Sequence, residues 1–484
     1  MNFERVHTGY YLIILLFLSC IKFYKIDAAG IWLDEAHSIF QAHKNIGAII
    51  NDSAKDQNPP LYFILLNFWV KLFGNSVSSV RGLSCIFNIL SVPLIFLYAR
   101  KNINIIAALF ASLVFIFSDI QLYYAQETRV FSLVGLLCIT SFILFESIRK
   151  NTKLNWLQII FLAVVNSLML YAHYLSVFII AAQLFVALLF YKSKPNHFKQ
   201  LIISGIVALI LFSPWLGKVL LNIPEAGNFW LTKPNFGNIK GIFISFSGNK
   251  LITVIYMLII ASGLYFLFKN STNSNKKTDN KYVFTILMSW AFLPIVTTYI
   301  IAYFTPVFLI RYLLYCSIGL FLLIGFIISA YPIKDFYKLI IVIGIVLLTA
   351  TTIKFGQTKG ENWLASVDKV KELKNSDCDV ILSAYYTNTA FSYYYYGDKN
   401  VLYADAAGQL KKDKIYCIDK LDDKLIGELN LRDQVIAVQS HQIDADPENT
   451  VITTLSKSYT LKESVEFENV KVSVFKKNNP FIAK

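Results

Sequence analysis

The chain has 484 residues, 56% of them hydrophobic and only 16% charged, against roughly a quarter charged in ordinary soluble domains. That balance excludes a typical soluble enzyme and points to a chain whose solvent is largely lipid. The net charge of +14 does not signal nucleic acid, because the basic residues cluster in short loops between apolar runs, the pattern that orients membrane proteins.

About twenty consecutive apolar residues cross a hydrocarbon core. Runs at 9–24, 77–98, 103–119, 128–148, 155–171, 174–191, 198–216, 251–268, 282–304, 309–330 and 337–353 predict about eleven spans. Arg5 before the first run suits a signal peptide, but Ile26-Asp27-Ala28 is a poor small-residue cleavage site, so the run reads as an uncleaved anchor. Alternate loops carry the cations: Arg100-Lys101, Arg149-Lys150 with Lys153, the Lys192 to Lys199 stretch, Lys269 to Lys281, and Lys334 with Lys338. Assigning them to the cytoplasm puts the N-terminus inside. The loops 25–76, 120–127, 172–173, 217–250 and 305–308, and the tail, then face outward.

The first outward loop is long. Residues 36–50 have helical periodicity, Asn58-Pro59-Pro60 breaks the chain, and 61–73 is an apolar run too short to span. The expectation is two membrane-surface helices joined by a Pro-Pro turn. From about residue 356 the composition turns polar. Short β-rich runs at 379–383, 400–403, 414–418, 434–438 and 470–475 alternate with helical stretches at 362–373 and 388–396, as in a small α/β domain. The fold class expected is an all-α polytopic membrane bundle over 1–355, with a C-terminal extracytoplasmic α/β domain over 356–484. Cys20, Cys85, Cys138 and Cys316 lie in apolar runs, whereas spacing leaves open whether Cys378 and Cys417 pair.

The candidate chemistry gathers at outward helix ends. Trp32-Leu33-Asp34-Glu35-Ala36 places two carboxylates just past the first span. They suit either a solvated helix start or a general base with a neighbour that orients it or helps hold a metal. Asp56-Gln57-Asn58-Pro59-Pro60-Leu61-Tyr62 reads by itself as a turn. In Tyr123-Tyr124-Ala125-Gln126-Glu127-Thr128-Arg129 the arginine either pairs with Glu127 or binds a phosphate through its planar fork. Arg311-Tyr312 and Arg81 also sit at outward ends, where they either snorkel or bind an anion. His173 lies with Tyr171 and Tyr174 at a tight outward turn.

At these residues the chain resembles the GT-C class of membrane glycosyltransferases, in particular the protein O-mannosyltransferases and the lipid A aminoarabinose transferases. The matching pieces are WLDEA at 32–36, DQNPPLYFILLNFWVKLFG at 56–74, SSVRGLS at 78–84, YYAQETRVFSL at 123–133 and FLIRYLL at 308–314. The resemblance implies sugar transfer from a polyprenyl-phosphate donor to a lipid, glycan or protein acceptor on the outer face of a cell membrane, in a bacterium the inner one. It implies Asp34 as the base, Glu35 as its support or as a co-ligand of an optional divalent metal, and Arg129 and Arg311, with Arg81, on the donor phosphate. Asn58, Tyr62, Tyr124, Glu127, His173 and Tyr312 are the remaining pocket candidates. Asn58 stands where the aminoarabinose transferases carry a phosphate-contacting Lys, and the large luminal insertion of the protein O-mannosyltransferases is missing. Both departures leave the acceptor open. A lipid-linked substrate transporter or flippase is the alternative, but it calls for ionisable residues near mid-span, which are nearly lacking here.

Overall fold

The computed structural model describes residues 3–56, 58–150, 153–221, 233–269, 274–397 and 400–478. Parts of the expected loops 217–250 and 269–281, and Gln57 of the Pro-Pro segment, lie outside them. The chain divides into two compact units. One comprises Met1–Tyr24, Ile50–Tyr62 and Arg81–Phe355, the other Lys25–Ile49, Phe63–Val80 and Gly356–Lys484.

In chain order the helices are α1 (Phe3–Ser19), α2 (Leu33–Ala42), α3 (Ile46–Lys55), α4 (Leu61–Phe73), α5 (Val77–Asn102), α6 (Ile105–Phe117), α7 (Asp119–Ala125), α8 (Phe131–Lys150), α9 (Trp156–Ala172), α10 (Val177–Leu189), α11 (Pro195–Leu221), α12 (Phe236–Ser247), α13 (Lys250–Lys269), α14 (Ser274–Ile301), α15 (Cys316–Ala330) and α16 (Asp335–Ala350). Each predicted span coincides with one of them. By length and hydropathy alone four are long enough to cross a membrane, or six if two bent pairs each count as one span. The shorter lipid-exposed apolar helices, such as the 17-residue α9, reach only ~26 Å at ~1.5 Å per residue. They call on local thinning or flanking residues to match a ~30 Å core.

The first unit is a helical bundle. α15 is buried along its whole length, from Cys316 to Ser329, and packs against α6 and α14. Trp290 of α14 is fully buried; its Nε1 donates to the carbonyl of Tyr315 at 3.0 Å, and its ring stacks on Phe142 at 3.8 Å. Local caps set the helix starts. Asn104 accepts from the Ala107 N–H and opens α6, and Asn155 does the same for α9 through Gln158. The expected loop 120–127 is instead largely helical: α7 leaves α6 at a 58° bend. Asp119 at its first turn accepts from the Lys354 N–H at 2.8 Å. α12 and α13 meet at 93°. Gly248 makes that corner with φ +97°, which side chains with a Cβ rarely adopt.

The stretch 25–76, expected to hold two helices, holds three. The periodic stretch 36–50 breaks after Ala42, because Asn45 caps a new helix there and accepts from the Ala48 N–H at 2.8 Å. The Pro-Pro turn therefore joins α3 to α4.

In the second unit, α17 (Trp363–Leu373), β1 (Cys378–Ser383), α18 (Asn388–Tyr396), α19 (Ala406–Lys412), β2 (Ile415–Cys417), α20 (Asp423–Leu429), β3 (Gln434–Gln439), α21 (Gln442–Ala445), α22 (Thr450–Ser458), β4 (Tyr459–Phe467) and β5 (Val470–Lys477) build a five-stranded sheet of order β2-β1-β3-β5-β4. β1 runs parallel to β2 and β3, and β5 is antiparallel to β3 and β4. Ile381, Val435, Ala437 and Phe475 join Val451 and Leu455 of α22 in one core cluster. β1 is buried at every position, as befits a strand covered on both faces. The expected strand 400–403 is a turn, tied by Gln409, which accepts from the Leu402 N–H and donates to the Asn400 carbonyl. β4 escapes the sequence reading because it is an edge strand whose side chains are largely exposed, so it lacks apolar alternation. The two residues between β4 and β5, Glu468 and Asn469, both take positive φ, as tight hairpins require. Cys378 and Cys417 are free thiols. Cys417 lies opposite Leu382, four residues along β1 from Cys378, or ~13 Å at ~3.3 Å per residue, too far for a disulfide.

Candidate functional site

In the bundle, three of the sequence motifs meet through one relay of hydrogen bonds. Ser84 of α5 donates its only hydroxyl proton to the Arg129 carbonyl at 3.0 Å. The buried Tyr62 hydroxyl, 2.8 Å from Ser84 Oγ, must therefore be the donor of that second bond. The proline-flanked tyrosine, the N-terminal part of α5 and the Arg129 loop are thus pinned together. Arg81 is buried one turn before Ser84, and Glu127 is buried two residues before Arg129. Ser84 was not singled out from the sequence, although it stands in the motif around Arg81.

Arg129 and Arg311 both act on His173. The imidazole is drawn down to about 3, first by burial and then by the two guanidinium charges. At neutral pH it is uncharged. Its Nδ1 accepts from the Leu175 N–H at 3.3 Å, which leaves the ring proton on Nε2 as a donor. Tyr312 lies 4.8 Å from the His173 ring and 6.3 Å from Phe131, while the Arg311 guanidinium sits over Tyr312 at 5.6 Å. Tyr124 packs on Phe131 at 5.3 Å. The result is two cations and one neutral N–H donor beside aromatic rings, a setting for an anion with an apolar tail. Tyr171 and Tyr174 are occupied with α11: the first donates to the Leu211 carbonyl, the second accepts from Trp215. Asn58 donates to the Asp56 carboxylate at 2.8 Å and to its carbonyl at 3.2 Å, so its amide closes the turn before the two prolines.

The acid pair belongs to the second unit. Asp34 and Glu35 open α2, where negative charge favours the helix dipole. Neighbours on a helix point ~100° apart: Glu35 is fully buried, Asp34 half-buried. The N-cap residue, Trp32, has no side chain able to cap. The role falls to Glu361, whose Oε2 accepts from the Leu33 N–H at 3.1 Å. Glu361 Oε1 holds His441 Nε2 at 2.7 Å, and His441 Nδ1 lies 3.8 Å from Asp444. The His441 proton affinity is raised, chiefly by the Glu361 hydrogen bond and further by the charges of Glu361, Asp444 and Asp34, against an opposing effect of burial. Tyr394 accepts from the Ile31 N–H, and Gly360 lets the chain pass Trp32 so closely that a Cβ there would lie 2.6 Å from Trp32 Cε3. At the far end of α2, Asn67 of α4 donates to the carbonyls of Ala42 and Lys44 at 2.6 and 3.0 Å. The segment bearing Asp34 is therefore clamped at both ends. Neither Glu361 nor His441 was legible from the sequence. Among the described residues no group of three or more His, Cys, Asp or Glu is arranged to hold a metal ion.

Comparison with known proteins then bears on these features. Residues 57–217 match the model of the family described as Dolichyl-phosphate-mannose-protein mannosyltransferase. The structure is similar to ArnT from Cupriavidus metallidurans in the apo state, with TM-score 0.62 and 10% identity over 97% of this chain and 98% of that one. It is also similar to the oligosaccharyltransferase AglB from Archaeoglobus fulgidus in complex with an inhibitory peptide and a dolichol-phosphate, with TM-score 0.51 and 10% identity over 100% of this chain and 75% of that one. No curated protein sequence matches the chain. These likenesses bear out the expected fold class, a helical membrane bundle of GT-C type with a small α/β region at the C-terminal end.

Proposed function

We propose that this chain, which has the fold of the GT-C membrane glycosyltransferases, transfers a sugar from a polyprenyl-phosphate donor to an acceptor hydroxyl at the outer face of a cell membrane. The observation that carries the reading is the gathering of the Arg311 guanidinium, the Tyr312 and Phe131 rings and the buried His173 imidazole at one end of the bundle, beside the Arg129 loop. A similarly folded protein, AglB, has been seen with a dolichol-phosphate, a lipid of the donor's class. The basic inner loops support a cytoplasmic N-terminus, with 356–484 as an extracytoplasmic domain.

In the reaction Asp34 takes the proton from the acceptor hydroxyl. The oxygen attacks the anomeric carbon as the bond from that carbon to the phosphate oxygen breaks, a single displacement that inverts the centre. The phosphodiester carries one negative charge and the departing lipid monophosphate two. Arg129 and Arg311 therefore bind the transition state more strongly than the bound donor, which is the condition for raising the rate. Arg81, buried one turn before Ser84, adds a third cation for the same phosphate. The Nε2–H of His173 hydrogen-bonds a phosphate oxygen, and Tyr312, Tyr124 and Phe131 cover the first isoprene units. Glu35 shapes the base from within α2. Any divalent ion the reaction takes would draw on Asp34, the carboxylate of the pair that is not fully buried.

The test is transfer from a radiolabelled single-sugar polyprenyl phosphate to cell-envelope acceptors by the purified chain. Label should move with wild type and not with Asp34→Asn. A variant that turns over normally would remove Asp34 from the role of base.

A further inference from the structure

The helices that open at Arg81 and Arg129 close in a second cluster of cations at their other ends. α5 finishes in Arg100-Lys101-Asn102 and α8 in Arg149-Lys150. Twenty residues of α8 at ~1.5 Å each set Lys150 ~30 Å from the Arg129 end, about a hydrocarbon thickness away. Between these helix ends and Thr8 of α1 lies a cavity of about 540 Å³. Leu94, Leu97 and Ile143 line it with hydrocarbon, and Arg100, Lys101 and Lys150 line it with positive charge. Among the described residues lining it Glu146 is the one acid, and both its oxygens are engaged. Oε2 pairs with Arg149 Nε at 2.8 Å and Oε1 accepts from the Tyr282 hydroxyl at 2.8 Å, with the Arg149 guanidinium 4.0 Å from the Tyr282 ring centre. Lys150 Nζ is steered by Asn102 Oδ1 at 2.8 Å, and Arg100 donates to Thr8.

Membrane orientation asks for cations in these loops, but it does not ask for an apolar cavity behind them. From that pairing we infer a binding site for an anionic phospholipid, one that takes its phosphate between Arg100, Lys101 and Lys150 and lays the upper part of its acyl chains against Leu94, Leu97 and Ile143. The volume is that of a small-molecule pocket. Guanidinium and ammonium groups match a phosphodiester, and a basic pocket among helix ends is the usual receptor for such headgroups. The site is separate from the donor site, since it lies at the opposite ends of the same helices.

The experiment is native mass spectrometry of the purified full chain in detergent, titrated with phosphatidylglycerol and, separately, with phosphatidylcholine. Phosphatidylglycerol should bind at least about tenfold more tightly, as befits two or more cation contacts. Each neutralised cation should cost about fivefold, so Arg100→Gln with Lys101→Gln and Lys150→Gln together should weaken it roughly a hundredfold. Ile143→Trp, which narrows the apolar wall of the cavity and leaves every charge in place, should weaken phosphatidylglycerol binding as well, and it decides the matter if the triple variant does not fold. Equal binding of the two lipids, wild-type binding by Ile143→Trp, or displacement of the lipid by millimolar inorganic phosphate would each overturn the inference.

Discussion

Exchanging one oxygen of Asp34 for nitrogen changes little in volume and removes the proton acceptor. General-base catalysis contributes about 10²–10⁴ in rate, so Asp34→Asn should lower kcat by that factor while leaving donor affinity and melting temperature near wild type. Initial rates with radiolabelled donor, beside a melting curve, measure both. Arg311→Ala acts differently. It should cost about 10²–10³ in kcat and weaken donor binding, and it should also raise the His173 pKa, since one of the two charges that oppose protonation is gone. Burial, the larger cause, remains, so the value should still fall short of the ordinary 6.5. NMR titration of ring-labelled histidine reads the shift, and a pKa that stays near 3 would separate Arg311 from the imidazole. The arginines and the acid pair were legible in the sequence because a charge at the end of an apolar run stands out. Ser84 was not, because a serine near a helix start is ordinary until its partner, a backbone carbonyl forty-five residues away, is known.

Among the elements, α2 shows how a helix can lack its own start signal. A Trp at the N-cap offers no side-chain acceptor to the first turn, and Glu361 supplies one to the Leu33 N–H from the tail. Its second oxygen is held by His441, whose raised proton affinity sets the pH dependence. Because the folded value lies above the ordinary 6.5, the stabilisation is complete below about pH 6.5 and is lost as pH climbs through the raised folded value. The melting temperature of the full chain should therefore decline on the alkaline side, and Glu361→Gln should flatten that decline. A variant with an unchanged alkaline limb would show that the Glu361–His441 pair does not govern it. Hydropathy and strand pattern brought out the bundle helices and the central strands. They could not bring out a cap whose partner is a main-chain N–H, which every residue but proline carries. Nor could they divide 36–50, where the break depends on Asn45 capping the next helix, or find the exposed edge strand β4.

For the whole molecule, the proposed orientation assigns the cation-rich helix ends to the cytoplasmic side. In a background without the six native cysteines, Phe304→Cys, at an 85% exposed position past α14, should react with an impermeant maleimide added outside intact cells. Lys192→Cys, in the loop after α10, should react only once the membrane is opened. The reverse pattern would put the Asp34 and Arg311 motifs on the side opposite to the one the proposed reaction uses. The cap on α2 also has a bearing on how the protein is made. Leu33 and Glu361 are separated by 328 positions, so the ribosome has translated nearly three quarters of the message before the turn that carries Asp34 can be completed. A nascent chain halted anywhere earlier lacks the carboxylate that accepts from the first turn of α2.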